Sequence, residues 1–147
     1  EWNADIRALA SMTFSASFLS SSQNGYDASR GRFLARFYDY QEAFVSPAVK
    51  ILAGPARAPV SIDLGLGWRR RSYLNRPAQD GTGVYGGNTL VATQWTLSGT
   101  LTYPIVRRFS LVFTLERASA SSNQSFERFY RYAYEATSAL AGVRWDW

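Results

Sequence analysis

"VSIDLGLGW", residues 60–68, places Val60, Ile62, Leu64, Leu66 and Trp68 on one parity and Ser61, Asp63, Gly65 and Gly67 on the other. A strand sends successive side chains to opposite faces, so this spelling is a ribbon with one apolar side and one small, polar side. A helix would scatter the same apolar residues around its circumference. The run ends at Trp68, and Arg69, Arg70 and Arg71 follow at once.

The same period of two recurs along the chain. From Ala4 to Phe18 the even positions are Ala4, Ile6, Ala8, Ala10, Met12, Phe14, Ala16 and Phe18, against mostly Ser, Thr and charged residues at the odd ones. Val91, Trp95, Leu97, Leu101 and Tyr103 oppose Gln94, Thr96, Ser98, Thr100 and Thr102; Phe109, Leu111, Phe113 and Leu115 oppose Ser110, Thr114 and Glu116. The last segment sets Ala139, Ala141, Val143, Trp145 and Trp147 against Ser138, Gly142, Arg144 and Asp146. Between these, "RGRFLARFYDYQEAF" changes phase from Phe33, Ala35 and Phe37 to Tyr38 and Tyr40, which predicts a β-bulge there. The expectation is six long antiparallel strands, at 4–20, 30–45, 60–72, 90–103, 108–118 and 130–147.

The links differ in kind. Those after the first, third and fifth strands ("SSSQNGYDAS", "LNRPAQDGTGVYGGN", "ASASSNQSFERF") are long and polar, the fourth ("PIVR") is a tight turn, and the second ("SPAVKILAGPARAP") is long enough to hide a short strand. Long loops on one side and short turns on the other is the layout of a bacterial outer-membrane barrel. Strand length favours the same reading over a soluble sandwich. Globular strands average five or six residues, whereas nine to eleven cross a bilayer at a tilt. The expected fold is therefore an all-β, up-and-down transmembrane β-barrel with six to eight strands in this chain, forming a single domain over residues 1–147. Six strands close poorly around side chains. Either two more strands lie in 46–59 and 73–89, or strands come from elsewhere.

Composition bounds the chemistry. The chain has 147 residues, a formal charge of +5, no Cys and no His. Disulfides, thiolate chemistry and Ser-His hydrolysis cannot be assembled from it, no spacing implies another nucleophile with a base, and a non-enzymatic protein without cofactor or metal is expected. Of its 16 basic residues all but Lys50 are Arg. Arg with Tyr and Trp is the mix of interfaces. There is no apolar run long enough for a membrane helix. The start, "EWNADIRALA", lacks the layout of a signal peptide, which implies that one was removed or that the chain belongs to a longer one.

The alternating run Ala139, Ala141, Val143, Trp145, Trp147, with an aromatic in final place, resembles the C-terminal signal by which the barrel-assembly machinery recognises outer-membrane proteins; Phe is the usual last residue, and Trp stands there in this chain. More loosely, "YQEAFVSPAVKIL" and "ASSNQSFERFYRYAYEATSALAGVRWDW" are similar to the last strands of barrels fused behind tetratricopeptide repeats, in exporters of exopolysaccharide or of surface lipoproteins. These resemblances imply a Gram-negative outer membrane as the location, its lipid and lipopolysaccharide and the assembly machinery as partners, and other chains or strands completing the wall.

Three residue sets follow as candidate sites. Trp68, Trp95, Tyr103, Phe109, Trp145 and Trp147 would form the interfacial aromatic belts. Asp5, Arg7, Asp63, Glu116, Arg144 and Asp146 would face the lumen, where buried charges must be paired. Arg69, Arg70, Arg71, Arg117, Arg128 and Arg131, with Arg30 and Arg32, would make the loop-side rim basic, either as ordinary solvated charge or as a clamp for phosphate or an acidic polymer. The arginines scatter over different strand ends without a recognition helix, so nucleic acid is not an expected partner. "GTGVYG", residues 81–86, satisfies a dinucleotide-binding spacing but lacks the strand and helix that give it meaning, and reads as a loop. The expected function is a pore or export-conduit component for an anionic substrate; the alternative is a structural barrel that anchors or docks a complex in the outer membrane.

Overall fold

The computed structural model describes residues 5–28, 30–56, 58–126 and 131–146. Its elements are strands throughout: β1 (Ile6–Leu19), β2 (Gly25–Asp27), β3 (Arg32–Leu34), β4 (Tyr40–Ala53), β5 (Val60–Gln79), β6 (Tyr85–Val106), β7 (Phe109–Ser122) and β8 (Tyr134–Trp145). Six of them form one antiparallel sheet in the order β1-β4-β5-β6-β7-β8, and β2 with β3 forms a separate hairpin. This is the up-and-down meander that the alternation implies. The sheet is open: among the described residues β1 and β8 pair on one side only.

Two boundaries differ from the sequence reading. The second expected strand, 30–45, is instead a hairpin arm followed by a turn at 35–38, where Arg36 takes a left-handed φ of 54°. The phase change there is a chain reversal, not a bulge. The strand itself lies later, at Tyr40–Ala53, and consumes most of the expected second link, leaving a short turn that Gly54 enters at φ 102°. Neither 46–59 nor 73–89 holds an additional strand of the large sheet. The first continues β4, and the second is β5 and β6 prolonged into a ribbon beyond their neighbours.

Proline placement explains the irregularities. Proline cannot donate to a ladder, so it sits where pairing lapses. Pro77 and Pro104 mark the register shifts between β5 and β6 and between β6 and β7. Pro47 pairs with Met12 toward β1 and falls in the gap between Val45↔Trp68 and Ala48↔Gly65 toward β5.

Buried side chains concentrate at the loop end. Phe37, Ala78 and Leu90 form a small apolar core there, beside fully buried Asp27 and Asp39. Asp39 Oδ1 accepts from Ser21 N at 2.6 Å, and Arg36 Nε stands 2.7 Å from Oδ2 as an ion pair. Gln124 bridges β7 to the ribbon, accepting from Gln79 N at 2.8 Å and donating to Gln79 Oε1 at 3.0 Å. Asn123 does the same beside it, accepting from Val91 N and donating to Thr89 O, each at 2.8 Å. The polar loops thus form an ordered cap, whereas among the described residues no layer packs on the apolar face of the six-stranded sheet.

Candidate functional site

The register carries most apolar residues of the six strands onto one face. Row by row these are Ala8–Ile51–Ile62–Leu101–Phe113–Ala141 and Ala10–Val49–Leu64–Gly99–Leu115–Ala139, with Ile6–Ala53–Val60 and Tyr103–Leu111–Val143 at the short-turn end. Higher rows lose their apolar character progressively: Met12–Pro47 and Leu66–Leu97 flank the gap in the β4–β5 register and Leu97 is followed by Arg117, while Phe14–Val45–Trp68–Trp95 is followed by Ser119. On β1 the apolar series reaches Phe18, whose row contains Ser72, while on β7 and β8 it stops at Leu115 and Ala139, in the row of Leu64. The upper edge therefore drops by about 26 Å of strand across about 24 Å of sheet width. That slope corresponds to strands inclined at about 45° to the apolar band.

The aromatic residues sit at the edges of this band. Trp68 and Trp95 face each other with ring centroids 6.3 Å apart, and at the short-turn end Phe109 stacks on Trp145 at 5.8 Å and 4°. Tyr103 is 53% exposed beside Leu111 on the same face. Trp147 lies outside the described residues.

The opposite face is polar and furrowed. Ser61, Thr102 and Ser110 are buried on it, while Phe14, Leu97 and Val143 on the apolar side are more than half exposed, an asymmetry consistent with curvature toward the polar side. Its waist is narrow in side-chain size: a Cβ on Gly65 would stand 2.7 Å from Ser98 Oγ, and Thr100 and Thr114 share a hydroxyl hydrogen bond at 3.3 Å. Leu9, Phe44, Leu52, Val112 and Leu140 interrupt the polarity.

Most expected lumen charges find partners. Asp5 pairs with Arg7, Asp63 with Lys50 at 3.3 Å and Asp146 with Arg144 at 3.3 Å. Glu116 lies between Ser98 and Ser138 with no ion pair among the described residues. Lys50 was missed because its segment reads as a link when Pro47 is taken as a break.

The basic rim divides. Strand alternation turns Arg70 to the apolar side, in register with Ala43 and Thr93, and Arg69 and Arg71 to the polar side. Arg117 also lies on the apolar side, paired with Glu135 at 3.1 Å. Arg30 donates to Tyr85 O, Arg32 belongs to the hairpin, and Arg128 lies outside the described residues. Arg69, Arg71 and Arg131 converge on a polar-face cleft of about 340 Å³, with Tyr73, Gln94 and Tyr132 among its walls. Glu42 reaches up from β4: Arg71 Nε donates to Oε2 at 2.8 Å, Arg71 Nη2 stands 2.7 Å from the same oxygen as an ion pair, and Arg69 Nε is 3.8 Å from Oε1. Arg71 also lies over the Tyr40 ring at 4.2 Å, and Arg76 stands against the rings of Phe37, Tyr73 and Tyr132 at 4.9 to 5.4 Å. Glu42, Arg76 and the tyrosines come from stretches whose register the sequence alone does not fix.

"GTGVYG" forms the tip of the ribbon. Asp80 Oδ1 accepts from Thr82 N at 2.9 Å, Thr82 Oγ1 at 2.6 Å and Val84 N at 3.1 Å, and these bonds hold its carboxyl below the usual range. No group of three or more potential ligands for a metal occurs among the described residues. Comparison with protein-family models, with curated proteins and with solved structures finds no match.

Proposed function

We propose that this chain forms part of the wall of an outer-membrane β-barrel, with the apolar face toward lipid and the polar face toward a lumen. The observation that carries the reading is the unbroken apolar face on an inclined set of strands. Six strands at about 4.8 Å spacing, each carrying on average about 25 Å of apolar series along its length, give about 700 Å² of apolar surface, more than the largest patch of a typical soluble monomer. Leaving that area in water costs about 17 kcal/mol at about 25 cal/mol per Å², more than the whole stability of an ordinary domain. Its height agrees with hydrocarbon as the cover. At about 45°, the apolar series spans about 28 Å on β1 and about 19 Å on β5, either side of the ~25 Å band of such barrels.

Lipid admits no free strand edge. The five antiparallel pairings leave β1 and β8 running in opposite directions, so a complete wall joins them through an even number of further antiparallel strands, from other chains or another part of a longer one. The assembly machinery, outer-membrane lipid and lipopolysaccharide are the partners this placement requires, the last facing Arg70 and Arg117 on the lipid side.

Within that wall the chain acts without catalysis, as a component of a pore or export conduit for an anionic substrate. The convergence of Arg69, Arg71 and Arg131 on the polar face supports this role. The ordered loop cap around Phe37 and Leu90 supports the second reading, a structural barrel that docks a partner. Conductance in planar bilayers separates the two: discrete, anion-selective steps from the inserted protein favour the conduit, and stable but silent insertion favours the anchor.

A further inference from the structure

We infer that the polar-face cleft is an oxyanion subsite whose occupancy Glu42 contests. The inference rests on the reading of the polar face as a water-filled lumen, and it assigns to that lumen a specific stop for a carboxylate or phosphate group. Glu42 stands beside the cleft, outside its lining, and shows what two of the cleft's arginines bind. One oxygen of its carboxylate, Oε2, accepts from Arg71 Nε at 2.8 Å with Nη2 at 2.7 Å, and the other, Oε1, lies 3.8 Å from Arg69 Nε, so one anion spans two guanidiniums. Arginine's planar guanidinium is suited to carboxylate and phosphate alike.

The charges do not balance inside the cleft. Arg131, which also lines it, has no ion pair among the described residues, and Arg69 is held only at the longer of the two distances. Glu116, the other acid on this wall, is two rows below Arg69, about 13 Å along the strands. Gln94 and the tyrosine rings add neutral donors and walls. The volume of about 340 Å³ is at the lower end for small-molecule sites, room for one anionic group and the part of its carrier next to it. Glu42 is thus a specificity-determining residue: an arriving oxyanion binds Arg69 and Arg131 and competes with Glu42 for Arg71.

The test is calorimetric titration of the detergent-folded protein with citrate and, separately, with inorganic phosphate. It reads binding without conductance, so a silent bilayer with intact binding refutes the conduit alone, and conductance without binding refutes the subsite alone. One saturable site is expected for at least one probe, and the tighter probe names the preferred oxyanion. Glu42→Gln should tighten binding about tenfold, while Arg69→Gln and Arg131→Gln each weaken it about tenfold. Arg131 lies outside any strand, so its variant keeps the test open if Arg69→Gln fails to fold. Arg70→Gln removes the same charge from between Arg69 and Arg71 but on the opposite face, and should stay within twofold of the parent. Absence of saturable binding in both the parent and Glu42→Gln, or an equal loss in Arg70→Gln, overturns the inference.

Discussion

Replacing Leu64 by arginine probes what covers the apolar face. Leu64 lies in the row Ala10–Val49–Leu64–Gly99–Leu115–Ala139, four residues from Trp68 above and four from Val60 below. That is about 13 Å along the strand in each direction, or about 9 Å of depth at about 45°. A guanidinium there sits close to the midplane and should cost about 2–4 kcal/mol, whereas one in place of Trp68, at the band edge, should cost about 0–1 kcal/mol beyond the lost ring contact. Ser98 is one residue from Gly99 and faces the other way, against Gly65. Ser98→Arg should cost about 1 kcal/mol at most, because its charge stays in water. With Ser98→Arg at about 1 kcal/mol, the gap between Leu64→Arg and Ser98→Arg is about 1–3 kcal/mol, or about 5- to 150-fold in the folding equilibrium. Guanidinium titration of refolding into phosphatidylcholine vesicles, followed by gel migration, measures it. Equal penalties at 64 and 98 would refute the assignment of faces. Equal penalties at 64 and 68 would show that the cover is another protein layer, which has no depth profile.

Three further outcomes are expected. Gly25→Ala places a Cβ 2.5 to 2.9 Å from three atoms of the Phe37 ring and should loosen the β2–β3 hairpin by about 1–3 kcal/mol, seen as faster proteolysis of residues 20–38 and relieved by Phe37→Leu. Asp39→Ala removes the acceptor of Ser21 N and the partner of Arg36; it should cost the cap about 1.5–3 kcal/mol, with amide exchange at Ser21 as the readout. The ribbon tip should depend on pH through Asp80. Its carboxyl is held below the usual range, so its contribution is complete above the unfolded carboxylate value and is lost as pH falls through the lowered one. After correction for intrinsic rates, exchange at Thr82 and Val84 should quicken in acid, and Asp80→Asn should abolish that dependence.

Much of the sheet was legible because alternation is a backbone requirement. The strands read at 4–20 and 108–118 correspond to Ile6–Leu19 and Phe109–Ser122, and the parity that sorted Leu64 from Gly65 sorts the rows from Ile62 to Leu64 across all six strands. The segment 30–53 was not legible. Phe33, Phe37, Tyr38 and Tyr40 offer aromatics at both parities, and Pro47 mimics a strand end although it occupies a gap in the ladder. The cleft inherited that gap: Glu42 meets Arg71 through a cross-strand register that no local pattern specifies. The same alternation that revealed the strands also divides Arg69, Arg70 and Arg71 between two faces, which consecutive spelling conceals.

Sedimentation velocity of the refolded polypeptide, with circular dichroism on the same sample, tests the lipid-facing account most directly. In buffer without any amphiphile no monodisperse β-folded species should exist, and one should form when detergent or lipid is supplied. A single folded species sedimenting as a defined particle in plain buffer would contradict it.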